Sequence, residues 1–162
     1  MQAIRISLTL MLFAAVATAQ RKGPPPEKLV ATFSEIEAMA AKAKAERKPD
    51  QPEFALPIVT YDPYRVLLQY RAAIGPSAVH TKEAEVFVVV DGSATLVTGG
   101  KLVNEKRNGD NLTGTGIEGG SSRPVAKGDV VIVPENTPHW FSSINGTIVL
   151  MSFHLPHSGG AH

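Results

Sequence analysis

The stretch VHTKEAEVFVVVDG, at residues 79–92, combines a predicted strand with charged and imidazole side chains. Its valine-rich half predicts a β-strand, because β-branched residues favour extended backbone. Side chains alternate between the two faces of a strand, so Glu85, Phe87 and Val89 share one face. A carboxylate on an inward face is costly unless a partner or a metal ion neutralises its charge. Glu85 therefore marks a candidate site, and His80 precedes it by five residues.

A second stretch, KGDVVIVPENTPHWF at residues 127–141, contains another histidine at the start of a predicted strand. By the same alternation, His139 and Phe141 face one way and Trp140 faces the other. If both stretches border one barrel interior, His139 meets the histidine and the glutamate of the first stretch. Two imidazoles and one carboxylate are a ligand set that suits a divalent metal ion.

The surrounding sequence, residues 54–156, predicts eight or nine short strands without intervening helices. Asp91-Gly92, Asn145-Gly146 and Gly99-Gly100 are typical hairpin turns. Strands at this spacing indicate an antiparallel sandwich or a closed barrel, and a barrel also removes exposed strand edges. The polar, glycine-rich stretch 104–122 is interpreted as a loop that is either functional or mobile.

Composition excludes several classes of protein. The 162-residue chain suits one domain, and 43% of its residues are hydrophobic, which supports a packed core. It contains no cysteine, so disulfides, zinc–thiolate sites and thiol nucleophiles are excluded. The formal charge of +1 and the lack of a basic block argue against nucleic acid as a partner.

The first nineteen residues are interpreted as a secretory signal peptide. Arg5 precedes an apolar stretch that ends in Ala17-Thr18-Ala19, a small-residue cleavage pattern. The apolar stretch is shorter than the roughly 20 residues that a spanning helix needs, although a short membrane anchor is the alternative. We therefore expect a secreted or periplasmic protein with no membrane attachment after cleavage.

Residues 20–53 are predicted to contain a Pro-rich leader and one short N-terminal helix, from Ser34 to Arg47. Ser34 and Glu37 have the spacing of a capping box. An apolar stripe at helical spacing is expected to face the rest of the domain; it consists of Phe33, Ile36, Met39, Ala40 and Ala43. Residues 157–162 are interpreted as a flexible tail.

Residues 75–92 resemble the first motif of the cupin superfamily. That motif contains His-x-His, then three or four residues, a glutamate, six residues and a glycine. His80, Glu85 and Gly92 stand at the matching positions. The resemblance implies an all-β fold, a cupin-type antiparallel β-barrel, also called a double-stranded β-helix or jelly roll.

The second cupin motif is similar to residues 128–143. Gly128, Pro134 and His139 match it, Asn136 stands at its turn glycine, and Ser143 stands at its final asparagine. Asparagine also tolerates a left-handed turn, so the change at residue 136 is mild.

The main departure from the cupin pattern is Ala78, where the first histidine of His-x-His is expected. The resemblance implies metal ligands at His80, Glu85 and His139. Glu83, close to the first motif, and His154, on the last strand, are candidates to replace the absent ligand, although a purely structural role is the favoured interpretation of His154. The metal is a divalent ion, and Fe, Mn, Ni and Zn all remain open, since affinity alone does not select among them.

Four residues are candidates for substrate binding. Arg71 and Gln69 lie on a strand that leads into the first motif, and a guanidinium can bind a carboxylate bidentately. Phe87 and Phe141 share the inward faces of the two motif strands, although packing in the barrel core is the alternative. The resemblance further implies a homodimer that binds a small molecule.

Three functions remain open. The first is an exported metalloenzyme that acts on a small oxygen-bearing molecule as an isomerase, a lyase or a dioxygenase-like enzyme. The second is a non-catalytic protein that binds a sugar or an organic acid, which the absence of a histidine at Ala78 favours. The third is a barrel whose His and Glu residues only stabilise the fold.

Overall fold

A computed structural model describes residues 28–157, which form one helix and eleven strands. The helix α1 spans Phe33–Glu46. The strands are β1 Glu53–Tyr61, β2 Tyr64–Arg71, β3 Ser77–His80, β4 Glu83–Thr98, β5 Lys101–Val103, β6 Lys106–Asn108, β7 Asn111–Gly114, β8 Gly116–Glu118, β9 Ser121–Ala126, β10 Val130–Val133 and β11 His139–Pro156. All strand pairs are antiparallel, as the sequence predicts. The predicted signal peptide and residues 158–162 of the predicted tail lie outside the described residues.

The two long strands β4 and β11 hold the barrel together. They pair with each other from Thr98 opposite His139 to Glu83 opposite Pro156. One half of β4 also pairs with β10 and the other half with β9. Strand β11 pairs with β3 at one end and with β2 at the other. Each long strand therefore contributes to two sheet layers, which face each other across one interior.

Two dipeptides that the sequence analysis interpreted as hairpin turns are instead bends within these long strands. Gly92 lies inside β4 with a φ of 81°, and Gly146 lies inside β11 with a φ of 73°. Gly92 pairs with Ile148 next to a register shift in β11. The chain does turn at Gly99-Gly100, which separate β4 from β5, but among the described residues β5 pairs with β8 and not with β4.

The barrel interior contains a hydrophobic core beneath the candidate site. Its buried members are Phe87, Val89, Ala94, Leu96, Val125, Val133, Phe141, Ile148 and Leu150. They come from β4, β9, β10 and β11, so the core connects both layers. The predicted alternation is confirmed, since Glu85, Phe87 and Val89 are all buried.

Helix α1 packs outside the barrel, on β1 and β2. Ile36 and Ala43 are buried against Leu68 and Tyr70, as the predicted stripe requires. Phe33 is 59% exposed, so the stripe does not extend to the first turn. Thr32 and Glu35 form the capping box, two residues before the predicted pair Ser34 and Glu37.

The stretch 104–122 is more ordered than the loop that the sequence predicts. It contains β6 and β7, which continue the large sheet beyond β3, and β8, which pairs with β5. Gly114 allows this packing, since a Cβ there would lie 2.7 Å from the carbonyl oxygen of Val103. Within residues 28–157, no helix is long and apolar enough to cross a membrane.

Candidate metal centre

Glu85 is the centre of the site. It lies near the start of β4, between Val133 of β10 and His154 of β11, and only 2% of its surface is exposed. The Nε2 atoms of His80 and His139 lie 3.1 and 3.2 Å from its Oε2 atom. The structure therefore brings together the three residues that the sequence predicts as metal ligands.

His139 presents its Nε2 atom to the carboxylate as an acceptor. Its Nδ1 atom lies 3.3 Å from the carbonyl oxygen of Thr137, which can only accept, so Nδ1 carries a hydrogen. In the neutral ring, Nε2 then points a lone pair at the oxygen of Glu85. Two lone pairs repel unless a cation lies between them, so the donor set fits a metal ion.

His80 lies at the end of β3 and is the most accessible of the three side chains. Its Nδ1 atom is buried without a hydrogen-bond partner in the described part of the chain. The nearest carboxylate oxygen to that atom is Oε1 of Glu83, at 3.9 Å. A metal ion on Nε2 would move the ring hydrogen to Nδ1 and direct it towards Glu83, which accounts for the unpaired atom.

His154 lies beside Oε1, the other carboxylate oxygen of Glu85. Its Nε2 atom lies 3.6 Å from Oε1 of Glu85 and 3.2 Å from the hydroxyl of Ser152. Among the described residues, one ligand atom each from His80, Glu85 and His154 lies within 4.8 Å of the others, and His139 is not a member of this group. Four side chains therefore surround the carboxylate of Glu85. His80 and His139 lie at Oε2, and Ser152 and His154 lie at Oε1.

The ionisation of these groups follows from their contacts. Burial opposes the charge of Glu85, but the contacts with His139, His80 and the Ser152 hydroxyl outweigh it and hold the pKa of Glu85 well below the usual range. Burial lowers the pKa of His80, yet the hydrogen bond and charge of Glu85 outweigh it and raise that pKa overall. The pKa of Glu83 is lowered, because contacts with His154 and Arg65 outweigh its burial. The site is thus built around two ionised carboxylates.

A pocket of about 320 Å³ opens above this cluster. Gln69 and Arg71, the two predicted polar contacts for a substrate, line it. Arg71 donates to the side chain of Gln69 at 3.0 Å and pairs with Glu53 at 2.8 Å, so its guanidinium is held in place. Ala78 also lines the pocket and pairs with His139 across β3 and β11, so its methyl group occupies the wall beside the imidazoles.

Phe87 and Phe141 lie below the pocket, not in its lining. Their ring centroids are 5.5 Å apart, and they are 1% and 4% exposed. The guanidinium of Arg71 lies 5.1 Å from the ring centroid of Phe141 and so separates that ring from the pocket. The two phenylalanines therefore form the floor that supports the site.

A larger groove, of about 410 Å³, runs along β9 and β10. Its lining is mostly aliphatic and lacks the imidazole–carboxylate cluster, so volume alone does not identify the site.

Ser152, which donates to Glu85, was not predicted from the sequence. Its signal was its position two residues before His154, on the same face of β11.

Comparison with known proteins identifies the family of the chain. Residues 58–159, more than half of the chain, match the cupin family. The chain therefore belongs to the cupin family, as its two motifs predict. No curated protein matches it significantly by sequence.

Solved structures share the fold at low sequence identity. An uncharacterised Klebsiella pneumoniae protein with a double-stranded β-helix domain is 15% identical, with a TM-score of 0.52, over 83% of this chain and 95% of that one. A cupin superfamily protein from Desulfitobacterium hafniense is 14% identical, with a TM-score of 0.51, over 86% and 100%. Fe(II) HppE is 14% identical, with a TM-score of 0.51, over 67% of this chain and 54% of that one. These similarities establish the fold.

Proposed function

We propose that the protein is an exported cupin that binds one divalent metal ion through His80, Glu85 and His139 and acts on a small oxygen-bearing molecule. The observation that carries the proposal is the approach of two imidazole Nε2 atoms to one buried carboxylate oxygen, at 3.1 and 3.2 Å. A buried carboxylate in this position needs compensating positive charge. The pocket above it gives a small molecule access to the same atoms.

The charge balance favours Lewis acid chemistry. Two neutral imidazoles and one carboxylate neutralise one of the two charges of a divalent ion. When bound, such an ion supplies Lewis acidity to a substrate oxygen for isomerisation or elimination, or binds dioxygen if it is iron. His80 and His139 keep their Nε2 atoms directed at Glu85, and the pocket leaves these atoms within reach of a small molecule.

Arg71 supplies a positioned donor for the substrate. Its Nη2 atom already bonds Glu53 and Gln69, so little side-chain entropy is lost when a ligand binds. A carboxylate or a hydroxyl of the substrate would replace part of the contact with Glu53. Arg71 and Gln69 therefore orient the molecule, while the imidazoles and Glu85 face its reacting end.

The second candidate function is non-catalytic binding of a sugar or an organic acid. Ala78 favours it, because a methyl group stands on the pocket wall opposite His139 and supplies no ligand atom. Polar groups in the same pocket, Gln69 and Arg71 among them, would suffice to bind a small polar ligand.

Metal analysis of freshly purified protein separates the two functions. We expect about one divalent ion per chain in the wild type, and loss of that ion in His139→Ala, since its Nε2 atom is removed from Glu85. Metal-free wild type that is stabilised by a sugar or an organic acid in a thermal-shift screen would instead support binding alone. Oxygen consumption with added Fe(II) would identify dioxygenase-like chemistry.

Export and self-association belong to the same proposal. Sequencing the amino terminus of protein recovered from outside the cytoplasm tests export, and a terminus at Gln20 is expected from the cleavage pattern. Retention of residues 1–19 in cytoplasmic protein would contradict it.

We propose that the homodimer forms through the open edge of β10. Val130 and Ile132 are 67% and 63% exposed, and they continue across the sheet to Val88 and Val86. Among the described residues, β10 pairs only with β4, so its other edge is open. Antiparallel pairing of this edge with the same edge of a second copy would satisfy the open backbone groups and place Val130 and Ile132 of the two copies side by side on one face.

We expect wild type to be a dimer and Ile132→Glu to be a monomer, because glutamates from the two copies would lie side by side on neighbouring strands, where like charges repel. Light scattering at micromolar concentration measures the mass. Ile74→Glu is the control, since Ile74 is 52% exposed but lies away from β10. A monomeric wild type, or a dimeric Ile132→Glu, would contradict the proposed interface.

A further inference from the structure

We infer that His154 is an additional ligand of this metal ion, and that Glu83 and Arg65 orient it. The inference rests on the proposed function, because it assumes that the centre binds a metal. His154 lies on β11 directly opposite Glu85 of β4, and only 6% of its surface is exposed. Among the described residues, His154 forms a group with His80 and Glu85 in which one ligand atom from each lies within 4.8 Å of the others.

The tautomer of His154 leaves Nε2 free to bind a cation. Its Nδ1 atom lies 2.8 Å from Oε1 of Glu83, whose two oxygens also accept from Arg65, so Nδ1 carries the hydrogen of this contact. In the neutral ring, the lone pair of Nε2 therefore points into the cluster. A carboxylate on the far nitrogen of a histidine is the arrangement that fixes ligand orientation in many metal sites.

The neighbours of that nitrogen offer it no hydrogen. Ser152 donates its hydroxyl hydrogen to Glu85, so its oxygen presents a lone pair to Nε2 of His154 at 3.2 Å. The other neighbour is Oε1 of Glu85, at 3.6 Å. A neutral His154 thus faces two acceptors, which is unfavourable unless a cation lies among them.

Arg65 completes the support. Its Nη2 atom lies 2.9 and 3.0 Å from the two oxygens of Glu83 and holds the carboxylate against His154. The wall at Ala78 supplies no ligand, so a nitrogen from β11 would occupy coordination that β3 leaves open. The protein would then hold its metal with three histidines and one glutamate.

The test compares metal-free wild type with His154→Gln and with the double variant Ala78→His/His154→Gln. Zn(II) affinity is measured by calorimetry, and coordination by the absorption spectrum of bound Co(II). We expect His154→Gln to bind Zn(II) about 10- to 100-fold more weakly and to change the Co(II) spectrum. The double variant should recover affinity, because residue 78 lines the same pocket. His157→Gln is the control, since His157 pairs with Glu135 away from the pocket.

Unchanged Zn(II) affinity and an unchanged Co(II) spectrum in His154→Gln would overturn the inference and leave the proposed function standing. A wild type that binds neither ion would defeat the proposed function itself. Because His154→Gln alters a buried side chain, a measurement on wild type accompanies it. In the nuclear magnetic resonance spectrum of protein with ¹⁵N-labelled histidine, the Nε2 resonance of His154 should shift when Zn(II) is added. A resonance that stays in place would also overturn the inference.

Discussion

Replacing Glu85 with glutamine is expected to reduce the affinity for a divalent metal at least about 100-fold, which corresponds to roughly 2.7 kcal/mol. Changes to groups that only orient a ligand cost about 10- to 100-fold, and Glu85 is proposed to bind the ion itself. Glutamine keeps the size of the side chain but removes the carboxylate that, within residues 28–157, both His80 and His139 contact. Metal analysis and Zn(II) calorimetry measure the effect.

Glu135→Gln is the matched control. Glu135 also pairs with a histidine, His157, at 3.2 Å, but it is partly exposed and does not line the pocket. Metal affinity in this variant should equal that of wild type. Equal affinity in Glu85→Gln would show that the carboxylate is not part of the metal site.

The metal-free protein gives a second measure of the same residue. The pKa of Glu85 is depressed from 4.5 in the folded state, so its ionisation adds stability above about pH 4.5, and this contribution is lost as the pH falls further. The melting temperature of Glu85→Gln should therefore fall less steeply than that of wild type when the pH is lowered from about 5 to 3. Parallel curves would mean that Glu85 is not the ionised group that the contacts imply.

Strand periodicity predicted the core of the site, because each motif strand is regular over its first residues, 85–89 and 139–141. Counting by two from Glu85 places Phe87 and Val89 on its face, and all three are buried. The same count from His139 predicts the burial of Phe141, which the structure confirms. Within one uninterrupted strand, local geometry fixes the face of each residue.

The place of His154 could not be predicted by the same count. It follows His139 by fifteen residues, and an odd separation puts two side chains on opposite faces of a regular strand. Strand β11 has register shifts between Phe141 and Ser143, and between Ile144 and Ile148, relative to β4. Such irregularities change which face a residue occupies, and they depend on the partner strand.

The predicted hairpin turns at Gly92 and Gly146 were wrong for a related reason. An Asp-Gly dipeptide favours a hairpin because glycine adopts positive φ, but a bend inside a long strand needs the same property. Whether the chain reverses at Gly92 is decided by β11, which continues to pair beyond it. The capping box was ambiguous in the same way, since Thr32–Glu35 and Ser34–Glu37 have equal spacing.

Gly92→Ala should have a much larger effect on folding than an alanine at another glycine of similar conformation. Gly92 has a φ of 81°, and a Cβ there would overlap the carbonyl oxygen of Thr147 and lie 3.0 Å from the Cα of Ile148. Both obstacles are backbone atoms of β11, which cannot rotate away as a side chain would. We expect a loss of about 4 kcal/mol or more in the free energy of unfolding, or failure to fold.

Gly99→Ala isolates the conformational part of that effect. Gly99 has a φ of 74°, but a Cβ there would meet no atom within 4 Å. Only the left-handed backbone should then be penalised, at about 1–2 kcal/mol. Urea unfolding of both variants gives the difference, which reports the close contact between the bend of β4 and β11. Equal losses would mean that β11 moves aside at Gly92, in which case the bend does not fix the register that places His154 opposite Glu85.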